Sequence, residues 1–442
     1  MNITRLSPDS AGLVDWPTPS MDRKSVVTVG VFDGMHRGHQ AVIKRAVDLA
    51  KKFGALSIVV LFDPRPGLVH AYAASHDGME PAEDMRDVQA LTGVDDRLRM
   101  MRELGVDQVI IVRYTLAFAA KSYRFFLGQM VGKLGMRTLV LGRDAAMGKD
   151  RAGDVKAIAT LASATGVFEL DIVDDCGPGH VRIPANAQPH MPTEWGEPAD
   201  PLAGMSKAEL RAWTKKRQSK LHRIWSSTNV RYLLGQGRIV AANEILGHPH
   251  AVEGIVVHGE ERGRTIGFPT ANLDEASVVG YLPVDGVYAG WLVDMGPSTN
   301  SSSSSTADTS TTNDHAQSDG QDCAHNNTLA ASSASAASST SSGSGLTDRV
   351  ASDDKARLAE GSPWRWPAAI SIGTKPTFSE TTGLHERVVE AYALTDEWLD
   401  LYGHRVRIEF AGFLRPQVKF DSADDLVAEL GRNVEETRRL TA

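Results

Sequence analysis

The chain has 442 residues, of which 42% are hydrophobic and 23% charged, and 47 Lys and Arg against 55 Asp and Glu give a formal net charge of -8. That length suits two or three domains with sizeable cores. The mild acidity argues against a protein that coats duplex nucleic acid, yet leaves room for an anionic ligand held by a few local donors. No apolar run approaches the ~18 residues of a membrane-spanning helix, and no basic-then-apolar leader opens the chain. Two cysteines, Cys176 and Cys323, make neither a disulfide framework nor a metal site. These features predict a cytoplasmic protein, a monomer or weak homo-oligomer, with small-molecule rather than nucleic-acid or membrane partners.

In chain order, Val26–Phe32 is a continuous apolar run, as in a strand buried on both faces of a parallel sheet. Asp33–His39 is a Gly-punctuated turn, and Gln40–Phe53 sets Val42, Ile43, Ala46, Val47 and Ala50 at helical spacing. Leu56–Phe62, Val106–Arg113 and Arg137–Leu141 read as further strands, with helices at Asp95–Leu104, Ser122–Leu134 and Ala157–Thr165 between them. This alternation predicts an α/β, doubly wound sheet whose ligands bind beyond the carboxyl ends of the strands. Asn186–Pro201 reads as a loop, Ser206–Arg217 as a basic helix, and Val230–Gly235 and Ile239–Leu246 as two more helices.

After Gly247 the pattern changes. Val252–His258, Gly286–Val293, Ala368–Gly373, Arg387–Leu394 and Val406–Phe413 are short strand-like segments, as in a small antiparallel barrel. Ser422–Leu440 opens like a capping box and carries a Leu426, Leu430, Val434 stripe, which predicts a closing helix. Between two of these strands, residues 298–345 hold 16 Ser, 7 Thr and 8 Ala among 48 residues, too little apolar surface to offset the entropy of ordering. The expected organisation is residues 1–235, with a loop insertion over 184–222, followed by residues 236–442, with a disordered Ser-rich insertion over about 298–362.

Two constellations carry chemistry. Gly30-Val-Phe32-Asp33-Gly34-Met-His36-Arg-Gly38-His39 lies between a predicted strand and helix. Glycines there let the backbone approach a ligand, a helix N-terminus offers free N–H groups, and two imidazoles can donate to phosphate oxygens. Gly263-Arg-Thr-Ile-Gly-Phe-Pro-Thr270-Ala-Asn272 is the second. A hydroxyl and an amide two residues apart on an extended chain share one side and are hard oxygen ligands. Gly142 to Gly148-Lys149-Asp150 superficially suggests a Walker A loop, but it has five spacers and Asp where Ser or Thr must stand.

The first stretch resembles the HxGH signature of nucleotidylyltransferases, in the form seen in bifunctional riboflavin kinase/FAD synthetases. Phe62-Asp63-Pro64-Arg65-Pro66 resembles that family's FDPHP segment, with Arg65 in place of the usual His. Leu141-Gly142-Arg143-Asp144 through Gly153-Asp154 resembles its glycine-containing loop, with Ala145 and Met147 where aromatic residues often stand. Ser226-Ser227-Thr228-Asn229-Val230-Arg231 matches its SSTxxR motif. The second stretch resembles the GxxxxPTAN motif of riboflavin kinases, and Val389-Glu390-Ala391 and Phe413-Leu414-Arg415-Pro416 follow in the family's order.

The resemblance implies a Rossmann-like nucleotidylyltransferase domain followed by a riboflavin kinase barrel. It implies ATP-binding residues Gly30, Phe32, Asp33, Gly34, His36, Gly38, His39, Ser227, Thr228 and Arg231. Asp63, Arg65, Asp144, Asp154 and Arg415 become candidates for flavin binding, Thr270 and Asn272 for Mg²⁺, and Glu390 for the base. His36, His39 and Arg231 are the catalytic candidates of the first half. Riboflavin would be phosphorylated to FMN and FMN adenylylated to FAD, with ATP as co-substrate. Two alternatives remain open: a riboflavin kinase with a degenerate adenylyltransferase half, and a flavin- or nucleotide-binding regulator.

Overall fold

The computed structural model describes residues 1–174, 177–259, 268–298, 354–374 and 387–442. Residues 299–345 of the Ser-rich stretch, Gly263 to Gly267, Lys375 to Phe378 and Cys176 lie outside the described residues.

The N-terminal half is built on β1 (Asn2–Leu6), β2 (Ser25–Gly30), β3 (Leu56–Asp63), β4 (Gln108–Arg113), β5 (Met136–Gly142) and β8 (Glu169–Val173). The short strands β6 (Ala146–Met147) and β7 (Gly153–Asp154) pair with each other inside the loop between β5 and β8. The large sheet has the order β1-β4-β3-β2-β5-β8, and every neighbouring pair in it is parallel. Helices α1 (Arg37–Phe53), α2 (Pro66–Ser75), α3 (Val94–Glu103), α4 (Leu116–Ala119), α5 (Tyr123–Lys133) and α6 (Val155–Thr165) fill the crossovers. The central strands read as unbroken apolar runs because both faces are covered: Val26, Ala46 and Val140 pack on one side, Val27, Leu127 and Leu139 on the other. β1 escaped the sequence reading because it is an edge strand paired only with β4, and Asn-Ile-Thr-Arg-Leu has no continuous apolar run.

The interval expected to be a loop insertion is bracketed by a strand pair. β9 (His180–Ile183) pairs antiparallel with β10 (Lys220–Arg223), so Lys220 to His222 belong to a strand rather than a loop. Between them run an extended segment and the capped basic helix α7 (Lys207–Arg217). The extended segment crosses to the other half of the molecule. Gly196 N–H donates to the carbonyl of Leu414 at 2.8 Å, and Glu197 Oε1 accepts the N–H of Val240 at 2.9 Å. Helices α8 (Ser227–Leu234) and α9 (Ile239–Leu246) follow.

The C-terminal half is a closed antiparallel barrel. Its strands are β11 (His250–Val257), β12 (Ala271–Leu273), β13 (Gly286–Pro297), β14 (Arg365–Thr374), β15 (Arg387–Ala393) and β16 (His404–Arg415), in the order β11-β12-β15-β14-β13-β16. The C-terminal helix, Ala423–Thr441, starts at the Ser422 cap and packs on β13 and β14. Leu234, Ile239 and Leu246 of α8 and α9 belong to one core with Tyr288, Ile370, Val389 and Phe410 of the barrel.

Residues 354–362, placed within the expected disordered insertion, instead begin with a helical stretch over 354–358 and are anchored by the buried Asp354 and Ser362. Asp354 is buried and accepts from Arg99 at 3.2 Å and from Arg405 at 3.3 Å. They join an ion network between the halves. Asp96 and Arg99 of α3 meet Glu253, Arg405, Arg407 and Glu409 of the barrel, with Arg407 Nη1 at 2.9 Å from Asp96 and Arg407 Nε at 3.0 Å from Glu409. Burial opposes the charge of Asp96, but Arg407 and Arg99 hold its carboxyl well below the usual carboxylate range. No described helix is long and apolar enough to cross a membrane.

Candidate active sites

An open cleft of about 1040 Å³ lies at the carboxyl end of the parallel sheet, where β2 gives way to α1. Gly34 turns the chain with φ 79°, and a Cβ there would stand 2.6 Å from Leu91 Cδ1, so the position demands glycine. His36 caps α1, its Nδ1 accepting the N–H of His39 at 3.4 Å. In a neutral ring that acceptor role leaves the proton on Nε2, which becomes a donor. The rings of His36 and His39 stack with centroids 3.6 Å apart. Burial, then the charges of Arg231 and His248, lowers the His36 pKa to about 4. Burial, then His36 and Arg97, holds His39 well below the ordinary imidazole value. Near pH 7 both are neutral hydrogen-bond donors, and cationic charge in the cleft comes from arginine.

The second wall comes from α8. Ser226 caps the helix through the N–H of Asn229 at 3.2 Å, and Ser227 Oγ donates to the carbonyl of Asp33 at 2.8 Å. One turn on, Arg231 donates from Nε to the carbonyl of Gln89 at 2.6 Å and pairs with Asp33 through Nη2. Asp33 is buried, and its other oxygen accepts the N–H groups of Leu91 at 2.8 Å and Thr92 at 3.3 Å. Thus the two motifs, nearly 200 residues apart, are locked by a buried carboxylate, and a helix N-terminus with its free N–H groups faces the cleft. At the other end of the cleft the rings of Phe62, Tyr114, Phe118 and Phe126 meet edge-on or tilted at centroid distances of 5.6–6.2 Å.

The second constellation sits on the barrel. Val389 and Ala391 are in the barrel core, so alternation puts Glu390 on the outer face. The register sets Asn272 of β12 opposite Glu390 of β15, and Glu390 opposite Ser371 of β14. Directly opposed residues share a face. Thr270 joins them: Asn272 Nδ2 donates to Thr270 O at 3.2 Å and to its Oγ1 at 3.3 Å. Phe268 and Tyr392 stack edge-on beside the pair at 5.1 Å. Gln417 reaches in from the far side and donates to Ser371 Oγ at 2.9 Å. A hydroxyl, an amide oxygen and one carboxylate form a hard-oxygen set, suited to a divalent cation that takes its remaining ligands from nucleotide phosphates and water.

The comparisons with known proteins match this division. The FAD synthetase model matches residues 18–187 and the riboflavin kinase model residues 246–441. The bifunctional riboflavin kinase/FMN adenylyltransferase of Listeria monocytogenes is 27% identical over 421 residues, 95% of this chain and 94% of that protein. The protein of the same name from Bacillus subtilis is 30% identical over 268 residues, 60% of this chain and 66% of that one. The chain belongs to the bifunctional riboflavin kinase/FMN adenylyltransferase family. It is an enzyme with both an FAD synthetase half and a riboflavin kinase half, rather than a kinase alone. A solved structure described as a macrolide-efflux protein from Streptococcus pneumoniae aligns with a TM-score of 0.61 at 21% identity, covering 98% of each chain, which shows the fold.

Of the residues singled out in the sequence, Gly30, Phe32, Asp33, His36, Gly38, His39, Arg65, Asp144, Ser227, Thr228 and Arg231 all line the FAD synthetase cleft. Gly34 lies behind it against Leu91. Three flavin candidates are placed elsewhere. Asp63 turns to a smaller pocket beside Arg5 and Arg113 and pairs with Arg97 at 3.6 Å. Asp154 caps α6 through the N–H of Ala157 at 2.7 Å. Arg415 is buried against the C-terminal helix, with Nε 3.2 Å from Asn433 and 3.3 Å from Glu429, so its charge is spent on packing that helix. The aromatic end of the cleft was missed because its rings come from β3, the residue just after β4, α4 and α5, whose sequences read as ordinary core. Ala145 and Met147 pack beside it.

Proposed function

We propose that the cleft of the FAD synthetase half joins AMP to FMN, and that the outer face of the kinase barrel phosphorylates riboflavin. In the cleft an FMN phosphate oxygen attacks the α-phosphorus of ATP, the new P–O bond forms, and pyrophosphate leaves. The phosphate is already ionised, so no base is needed. Catalysis then rests on positioning and charge stabilisation: His36 and His39 donate neutral N–H groups, Arg231 supplies the cation, and the Thr228 hydroxyl with the N–H groups of the α8 N-terminus, where Ser227 stands, holds phosphate oxygens. The four-ring end of the cleft offers the apolar surface a flavin ring requires, which answers the loss of aromatics at Ala145 and Met147.

On the barrel the riboflavin 5′-hydroxyl attacks the γ-phosphorus of ATP, ADP leaves, and Glu390 takes the hydroxyl proton. Thr270 and Asn272 would hold Mg²⁺, which when bound neutralises phosphate charge. The reading includes a cytoplasmic location and a monomer or weak homo-oligomer.

What supports the two-site assignment is that, among the described residues, His36, His39 and Arg231 line the cleft while Thr270, Asn272 and Glu390 gather on the outer face of the barrel, with no residue common to both sets. The test is purified protein given FMN, ATP and Mg²⁺, with His39→Ala alongside. Wild type forms FAD and His39→Ala does not, while both phosphorylate riboflavin. Wild type that forms no FAD would leave the cleft without its assigned reaction.

A further inference from the structure

The segment between α2 and α3 reaches three charged groups of the FAD synthetase cleft at once. Leu91 and Thr92 donate their N–H groups to Asp33, the Gln89 carbonyl accepts Arg231 Nε, and Asp87 takes Arg65 on both carboxylate oxygens. The Arg65 contacts are 2.6 Å from Nε to Oδ2 and 2.7 Å from Nη2 to Oδ1, a bidentate pair. Just before Asp87, Arg86 donates to the carbonyl of Glu275 in the kinase half, which ties the segment down from outside the cleft.

Arg65 Nε also lies 4.0 Å from Asp33 Oδ2, the oxygen that holds Arg231. One buried carboxylate therefore stands within reach of two guanidinium groups, whose side chains are only 15% and 19% exposed. Burial opposes the charge of Arg65, but its hydrogen bonds to Asp87 together with the negative charges of Asp87 and Asp33 outweigh that and raise its pKa. Without Asp87, the nearest carboxylate left to Arg65 is the one that Arg231 uses.

We infer that Asp87 is a positioning residue for FAD formation: by holding Arg65 it reserves Asp33 for Arg231. The inference rests on the reading of this cleft as the FAD-forming site. It also accounts for the departure at position 65. A histidine there would be mostly neutral at pH 7 and would not compete for Asp33, whereas an arginine is always charged and requires its own partner.

Asp87 has a structural task as well, since its Oδ1 accepts the N–H of Gln89 at 3.1 Å and its carbonyl that of Ala90 at 3.0 Å. Asp87→Asn separates the two roles. It keeps an acceptor for the turn, but sets an NH₂ group against Arg65 Nε and removes the charge.

The test compares wild type, Asp87→Asn, Arg65→His and the double variant in the full chain, following FMN to FAD and riboflavin to FMN with ATP. Asp87→Asn is expected to lower kcat/KM for ATP in FAD formation about ten-fold, the size of coupling typical of directly contacting charges. Riboflavin phosphorylation should stay unchanged. The double variant should match Arg65→His, because with Arg65 gone Asp87 has nothing to reserve. Asp87→Asn with wild-type FAD formation, or losses that multiply in the double variant, would overturn the inference. Failure of the underlying reading looks different: wild type forms no FAD from FMN, or Arg231→Lys forms it normally.

Discussion

The two catalytic regions are assembled in different ways. In the FAD synthetase cleft the ionisable groups around the HxGH turn are largely buried and paired with one another: Asp33 with Arg231, Asp87 with Arg65, and two histidines pressed together and kept neutral. On the kinase barrel, Thr270, Asn272 and Glu390 stand half-buried on an outer strand face, brought together by strand register and by the hydrogen bond from Asn272 to Thr270. The nucleophiles explain the contrast. A phosphate needs only to be oriented in a field of preorganised donors, whereas a hydroxyl needs a carboxylate able to take a proton.

The sharpest way to break that contrast is at the base. Glu390→Gln keeps shape and hydrogen-bonding capacity, and riboflavin phosphorylation should fall about 10²–10⁴-fold in initial rate. If it stays within a few-fold, the barrel too works by positioning alone. His39→Ala removes one neutral donor from the cleft, and FAD formation should fall about 10²–10³-fold with FMN formation retained. The ion network between the halves offers a different comparison, because it serves structure rather than chemistry. Asp96→Ala leaves Arg99 and Arg407 short of a buried partner, which should cost about 3–5 kcal/mol in chemical denaturation. A loss below 1 kcal/mol would mean that the remaining acids rebalance the network.

The smallest effect concerns pH. His36 and His250 are buried, and each has its pKa lowered to about 4, in both cases chiefly by burial. In the unfolded chain they would bind protons near pH 6.5, so as pH falls from about 6.5 toward 4 the unfolded state gains protons first and stability drops. At pH 6 the loss is about 1 kcal/mol for each of these two histidines relative to pH 8, His39 adds to it in the same direction, and His250→Asn should remove only the His250 share. A stability that rises on acidification over that range would contradict neutral buried imidazoles.

Much of this was legible in the sequence, for identifiable reasons. Parallel strands covered on both faces announce themselves as apolar runs, so β2, β3, β4 and β5 could be read, and the HxGH turn and Ser226–Arg231 could be placed on helix N-termini. The Pro-Thr-Ala-Asn segment showed Thr270 and Asn272 on one side of an extended chain, and Glu390 was singled out by the resemblance, but that Glu390 shares their face comes from the strand register. What could not be read depends on pairings between distant segments. Nothing in Arg415 tells that Glu429 and Asn433 bury it, and nothing in Asp154 separates a helix cap from a ligand contact. Asp87 lies in a polar stretch without periodicity, and its importance appears only once Arg65 and Asp33 are seen beside it.

The central claim is that one chain carries two independent sites, and one measurement tests it most directly. Glu390→Gln is incubated with ATP and Mg²⁺, once with riboflavin and once with FMN, and FAD is quantified over time. The account predicts almost no FAD from riboflavin and FAD from FMN at the wild-type rate. Loss of FAD from FMN in the folded variant, or undiminished FAD from riboflavin, would contradict it.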